Sequence, residues 1–368
     1  MRTGKWSRIE MSIASKEEID TLDKMDYTKM SAINMCPTWG ILRYGLHKAM
    51  PGGGRSMALE AGTALHDCFA VIRLMQLSFY QGMETHTLYH GQRLFGKDRW
   101  GTIVEGVRGP DREASIKNAA LECLATTGYV DDSNDRRRTF NNLETSLLYY
   151  LQRWDFERHP VWVREPSDPT SDIGVEIPFA IKIQPYTDDG FAGYAAYEAQ
   201  PLTPFIYTGR IDGLHLAAKD SEELIVQENK SAARLDDAWR MSFDMSHQVT
   251  GYCVAGSLHT NTSIRRGLVI GLSLPLPRYA SDGLSIVDVY RDSFMKERWL
   301  QWLEYTTGIY NTYKRNPLTA PKHTHSCNRY FRPCSMIPFC ASDEQEQRDM
   351  LEQMVTEEWS PLVEKTGD

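Results

Sequence analysis

The chain has 368 residues, of which 41% are hydrophobic and 24% charged, the balance of a soluble globular protein with room for one enlarged domain or two intimate ones. A formal net charge of -8 excludes a surface that grips phosphate everywhere, but not a local basic groove on an acidic body. No apolar run approaches the roughly 18 residues of a membrane span, and residues 1–20 lack the apolar stretch of a secretory signal, so a cytoplasmic protein with no membrane partner is expected.

Residues 1–26 are polar and are expected to be only partly ordered. From Tyr27 to about Met50 the pattern suggests a short helix, with Ser31 a candidate N-cap ahead of Cys36. PGGGRS (51–56) breaks the pattern. It is no phosphate loop, because it lacks the Gly-Lys-Ser/Thr ending and a preceding strand. Residues 57–80 then carry apolar side chains every three or four positions, a long helix. The stretch 85–165 reads as a helical insertion, with helices at 114–126 and 139–156. Its DDSND segment (131–135) has Arg136 where a calcium loop needs glycine, and is read as a solvated turn.

The pattern changes after residue 172. GVEIPFAIKI and PFIYTGRIDGLHLA alternate as strands do, and ELIVQENK (223–230) is an apolar run ending in charge, as in a buried strand whose C-terminal end carries function. A helix over about 236–259, strands at 267–274 and 285–291, and a helix over 292–314 complete the series. This order implies an α/β core with a mixed sheet and flanking helices.

Within that core the segments Gly209–Gly213 (GRIDG), Glu228-Asn229-Lys230 and Ser246-His247-Gln248, with Tyr252, follow one another. Strand residues two apart share a face, so the Glu228 carboxylate and Lys230 ammonium are neighbours. Asp212, on an adjacent strand, supplies a second carboxylate. Two carboxylates suit Mg2+ or Mn2+, and a lysine beside them can orient a water or stabilise developing negative charge. A Glu-x-Lys triplet alone is as readily a salt bridge at a strand end.

The order GRIDG, ExK, SxQxxxY resembles the RecB-like branch of the PD-(D/E)xK nucleases, which includes AddB-type and CRISPR-adaptation iron–sulfur exonucleases of bacteria and their phages. The resemblance implies a restriction-endonuclease-like core, with Asp212 and Glu228 as metal ligands and Lys230, Gln248 and Tyr252 in the catalytic set. It makes His66, in Gly62-Thr63-Ala64-Leu65-His66, a further ligand, and gives Glu176 a place near the metal. A histidine in an apolar helix and a glutamate on a strand otherwise read as core and surface residues. The implied activity is hydrolysis of DNA, single-stranded or with free ends, in recombination, repair or phage DNA processing alongside a helicase or recombination partner. A silent nucleic-acid-binding or assembly subunit and an RNA-directed nuclease stay open, and a phage-encoded member would act in the host cytoplasm.

There are seven cysteines. Cys68, Cys123 and Cys253 lie in apolar helical patterns and read as small buried hydrophobes. Cys327, Cys334 and Cys340 crowd a loop-like segment, and thiolates so grouped suit zinc or an iron–sulfur cluster. The resemblance supplies the fourth ligand, Cys36, and implies a [4Fe–4S] cluster joining the two ends of the chain. Six residues separate Cys327 from Cys334, a wider gap than in the better-known members, and zinc held with His323 or His325 is the alternative. The chain thus divides into an N-terminal helical part of the nuclease domain (1–84), the helical insertion (85–165), the nuclease core (166–315) and a cysteine-cluster segment with its tail (316–368). Arg136, Arg137 and Arg138, and a second group of Lys314, Arg315, Lys322, Arg329 and Arg332, are candidate guides for a nucleic acid strand. Tyr310, Tyr313, Tyr330 and Phe331 near the second group are candidates to stack on bases.

Overall fold

A computed structural model describes residues 9–50, 56–105, 107, 110–185, 203–275, 283–329 and 332–356. Most of the PGGGRS breaker, together with Tyr330 and Phe331, lies outside them. The first elements are β1 (Ile9–Ile13), α1 (Lys16–Thr21), β2 (Lys24–Asp26), α2 (Tyr27–Met35), α3 (Pro37–Gly40), a π-helical turn (Ile41–Gly45) and β3 (Lys48–Ala49). Five helices follow: α4 (Met57–Gln81), α5 (Glu84–Phe95), α6 (Lys97–Glu105), α7 (Arg112–Ala125) and α8 (Phe140–Leu151). Then come β4 (Val175–Pro185), β5 (Phe205–Leu216), β6 (Leu224–Ala232), α9 (Asp237–Met241), α10 (His247–Thr260), β7 (Arg266–Ser273), β8 (Leu284–Tyr290) and α11 (Ser293–Tyr313). The chain closes through β9 (Asn328–Arg329), β10 (Arg332–Pro333), α12 (Ile337–Ala341), α13 (Glu344–Gln353) and β11 (Val355–Thr356).

The protein is α/β, as its sequence implies, with a seven-stranded mixed sheet in the order β1-β4-β5-β6-β7-β8 and β2 paired to β5. β2 runs parallel to the N-terminal end of β5, while β6 pairs antiparallel with its C-terminal end, Gly213 opposite Gln227 through Leu216 opposite Leu224. β6 and β7 are parallel, and β8 returns antiparallel along β7. The residues form two compact units: Met1–Arg55, Phe179–Gly209 and Lys296–Leu362 in the first, Ser56–Pro178, Arg210–Met295 and Val363–Asp368 in the second.

In the first unit, β1 pairs antiparallel with β4, so a segment expected to be loosely ordered completes a sheet edge. Its polar residues fit, since an edge strand has one neighbour and keeps solvent on its open side. The N-cap of α2 is Asp26 rather than Ser31, which lies within the helix. The Asp26 carboxylate accepts the amides of Thr28 (2.7 Å) and Lys29 (3.1 Å) and so satisfies two donors the helix leaves open. Tyr207 and Trp299 cross edge to face in the core, 5.2 Å between centroids.

In the second unit, α4 fills the span that its 3.6-residue periodicity predicts, capped by Ser56 and stopped at Gly82, which adopts φ 69°. Buried side chains of α4, α7 and α8 join Ile225, Leu268, Ile270 and Leu272 in one core, each contributing about 1.5–3 kcal/mol. The intervening sheet residues face α9 and α10. There Gly267 allows close approach: a Cβ on it would stand 2.4 Å from Val249 of α10. The single helix expected over 236–259 is instead α9 and α10, each with its own cap, Asp236 and Ser246. The sequence reading passes over α5 and α6, because the buried face of α5 is made of His86, Thr87, His90 and Gly91 before Phe95. Such a face carries no apolar rhythm.

Gly267→Ala should therefore push α10 off the sheet and cost about 1–3 kcal/mol, the usual price of overpacking. A lowered denaturant midpoint at unchanged m-value is expected; an unchanged midpoint would contradict this packing.

Candidate metal and active site

All the residues expected in the nuclease site belong to the second unit. β5 and β6 bring Asp212 and Glu228 together where their ladder ends. Beyond the Gly213–Gln227 pair, the Asn229 amide donates to Asp212 Oδ2 at 2.7 Å. The strand amide is thus used to aim a side chain. Glu176 of β4 sits at φ 49°, a left-handed conformation costly for a non-glycine residue and concentrated at functional sites. About three turns above the capped start of α4, His66 points at these strands.

The ligand-capable atoms of His66, Glu176 and Asp212 lie within 4.8 Å of one another. His66 Nδ1 stands 3.4 Å from Asp212 Oδ1 and 4.0 Å from Glu176 Oε1. Glu228 is not among these three. Its Oε1 is ion-paired with Lys230, while its Oε2 is buried with no hydrogen-bond partner. A carboxylate oxygen left bare in the interior is costly unless a cation or proton meets it. Lys230 Nζ donates to Gln248 Oε1 at 3.0 Å, and Gln248 Nε2 donates to the Tyr252 hydroxyl at 3.0 Å. The tyrosine thereby fixes which end of the amide faces the lysine. Lys230 remains 35% exposed, so its ammonium sits at the boundary of buried acid and solvent.

Crowding sets the charges. Burial pushes the Glu228 pKa up to about 7, the Asp212 carboxylate adds to this, and Lys230 opposes it. Burial by itself lowers the His66 pKa, but Asp212, Glu176 and Glu228 outweigh it and raise the imidazole to about 9. Burial disfavours the Asp212 carboxylate in turn, yet His66 and the Asn229 amide hold its pKa below the usual carboxylate value. The imidazolium is thus a proton bound where three carboxylates converge, which is also where a divalent cation would be most stabilised. An imidazole nitrogen with hard carboxylate oxygens is a donor set that could hold a metal ion, and the bare Glu228 Oε2 fits the same reading.

The sequence reading assigns no role to Arg210 or Asn229. Arg210 Nη1 lies 3.7 Å from Glu176 Oε2. Its position two residues before Asp212, on the same strand face, was the available signal.

The four expected cluster cysteines all fall in the first unit, as thiols. Met35 and Thr38, flanking Cys36, anchor the approach of the C-terminal segment. Ser326 Oγ donates to the Met35 carbonyl at 2.9 Å, and Thr38 Oγ1 donates to the Ala320 carbonyl at 2.9 Å. Cys334 N donates to the Cys327 carbonyl at 2.7 Å, closing the short β9–β10 hairpin. Burial pushes the Cys340 thiol up to about 11; Lys322 opposes this, and Cys36, Cys334 and Cys327 add to it. Burial likewise raises Cys334, with contributions from Cys36 and Cys327. Cys36, Cys327 and Cys334 thus act electrostatically on Cys340, but among the described residues the group gathered closely enough to hold a metal is His66, Glu176 and Asp212, and the four sulfurs are not drawn to ligating distance. His323 Nδ1 lies 3.0 Å from the Met35 carbonyl. Cys68, Cys123 and Cys253 are fully buried, as their helical settings predict.

The basic patches fare less well. Tyr310 is buried with Lys29 4.0 Å over its ring, so it is a packed side chain and not an open stacking platform. Lys314 is paired with Asp23, and Arg138 with Asp135 at 2.7 Å. In the DDSND turn, Asp132 and Asp135 accept nearby backbone amides, the geometry of a solvated turn.

Glu228 and His66 bind protons more tightly folded than unfolded. Their contribution to metal-free stability is complete below about pH 4.5 and 6.5, and is lost as pH rises through about 7 and about 9. With EDTA present, the melting temperature should fall between pH 6 and pH 9, and Asp212→Asn should flatten that slope. A flat profile in the unaltered protein would contradict the electrostatics. No protein-family model matches the chain, and no curated protein is significantly similar to it, so the reading of this site rests on its own geometry.

Proposed function

We propose that the protein is a divalent-metal-dependent nuclease that hydrolyses phosphodiester bonds of DNA, working from free ends. The observation that carries this is the convergence of His66, Glu176 and Asp212 within 4.8 Å, beside a Glu228–Lys230 pair held by Gln248. The resemblance of GRIDG, ExK and SxQxxxY to RecB-like nucleases supports the same reading. So does the mixed α/β sheet, whose β5–β6 ladder ends beside Asp212 and Glu228.

His66, Glu176, Asp212 and the bare oxygen of Glu228 would hold Mg2+ or Mn2+. When bound, the ion polarises a phosphate oxygen and makes water a better nucleophile at neutral pH. Lys230 sets a positive charge beside the carboxylates, where negative charge develops on the phosphate. Gln248 and Tyr252 fix the direction of that ammonium. Asn229 holds Asp212 through a main-chain bond, so the carboxylate needs little reorganisation when substrate arrives.

The purified protein should degrade linear DNA with Mg2+ or Mn2+ and lose this with EDTA. Lys230→Ala should reduce the rate by about 100-fold or more, as loss of a positioned charge donor does, in protein that circular dichroism shows to be folded. Full activity in Lys230→Ala would sink the assignment. Circular DNA and RNA tested beside linear DNA decide the end requirement and the choice of nucleic acid.

We further propose that Cys36, Cys327, Cys334 and Cys340 hold a [4Fe–4S] cluster. Burial, together with neighbouring cysteines, raises the thiols of Cys334 and Cys340, and a metal centre that takes the place of their protons would relieve this. Anaerobically purified protein should be brown, with about four iron and four sulfide per chain. A colourless zinc protein would overturn the cluster and leave the nuclease reading standing.

A further inference from the structure

Glu176 has a second neighbourhood besides the metal group. Within the second unit it lines a small recess open to solvent, together with Asp67, Arg93, Leu94, Phe95 and Arg210. Two guanidinium groups, from α5 and β5, thus border a space that shares a wall with the proposed metal site. Each acid of the recess also meets a group outside it. Both Nη atoms of Arg99 hold Asp67 Oδ2 at 3.1 Å, and Glu176 turns Oε1 toward His66.

The Arg210–Glu176 separation of 3.7 Å is longer than the roughly 2.7–2.9 Å of a close charge-assisted bond. An oxyanion that offers bidentate geometry can therefore compete for that guanidinium. A divalent ion drawing on Glu176 strengthens the bias, because it takes up the charge that Arg210 now faces. Arg210 and Asp212 are two residues apart on one strand face, about 6.6–6.8 Å along β5. That interval is comparable to one nucleotide of extended sugar–phosphate backbone. Leu94 and Phe95 supply an apolar wall, as suits a sugar beside its phosphate.

We propose that Arg93 and Arg210 form a phosphate subsite, taking the phosphate one nucleotide away from the one that is cleaved. The inference rests on the nuclease reading and adds to it a requirement for two consecutive phosphates on the substrate strand. The neighbouring phosphate can be an internal diester or a terminal monoester, and the substrates below separate the two.

The test compares hydrolysis of the single diester in thymidine dinucleotides that carry no terminal phosphate, a 5′ phosphate or a 3′ phosphate, with Mn2+. A trinucleotide supplies an internal diester as the neighbour. The full chain should favour one of the phosphate-bearing substrates by about tenfold or more in kcat/KM, the scale of one charge-assisted contact. Arg93→Ala and Arg210→Lys should each collapse that preference, chiefly through KM. Equal rates on all substrates, or a preference intact in both variants, would overturn the subsite and leave the nuclease reading in place. If no DNA is cleaved, the nuclease reading fails on its own. Calorimetric titration of inorganic phosphate into Mg2+-loaded protein then decides the recess: binding that Arg93→Ala weakens by about tenfold supports it, and no binding overturns it.

Discussion

The imidazole of His66 and the carboxylates of Glu176 and Asp212 lie within 4.8 Å of one another, with the buried Glu228 carboxylate acting on His66 and Asp212 electrostatically, and the arrangement of the second unit follows from that crowding. Charges taken out of water cost several kcal/mol each unless paired, and here each compensation is visible. Asp212 is met by His66 and by the Asn229 amide. Glu228 is met on one oxygen by Lys230 and keeps the other bare. Glu176 accepts a left-handed backbone to reach the group. A proton on His66 is the cheapest occupant of this place without a metal, and the donor set shows what could replace it.

The scaffold supports this in a direct way. Gly267 lets α10 lie close against the sheet, which places Gln248 within 3.0 Å of Lys230. The long α4 packs on β6 and β7 through a continuous apolar core, and this rigid seat carries His66 to Asp212. The first unit has a comparable economy. Its N-terminal helices and its C-terminal hairpin are stitched by backbone-directed bonds from Ser326 and Thr38, and β3 pairs with β11. Cys36 is thereby brought near enough to the late cysteines to act on the charge of Cys334 and Cys340.

Much of this was legible in the sequence, for identifiable reasons. Strand alternation placed Glu228 and Lys230 on one face, and the period of residues 57–80 gave α4 with His66 on it. The sheet's mixed character followed from element order. What stayed hidden depended on tertiary partners. β1 alternates as a strand does but spans only five residues within a polar stretch, and it gains its place when β4 is beside it. Helix α5 buries histidines and threonine, and the short α6 buries only Trp100 and Ile103, so periodicity could not find them. Asp26 displaced Ser31 as a cap because three consecutive residues can switch from strand to helix, which propensity does not anticipate. The fate of Tyr310, buried under Lys29, was likewise set by packing. The role of Asn229 is visible only as a distance.

The central claim is that His66, Glu176 and Asp212, with Glu228, form a divalent cation site. Its most direct test is calorimetric titration of Mn2+ into metal-stripped protein at pH 7, in buffers of differing ionisation enthalpy. The account predicts a single ion per chain bound with release of about one proton or more, because His66 must give up the proton it holds, and predicts loss of binding in Asp212→Asn. Absence of Mn2+ binding to the folded protein, or equal binding in Asp212→Asn, would contradict it.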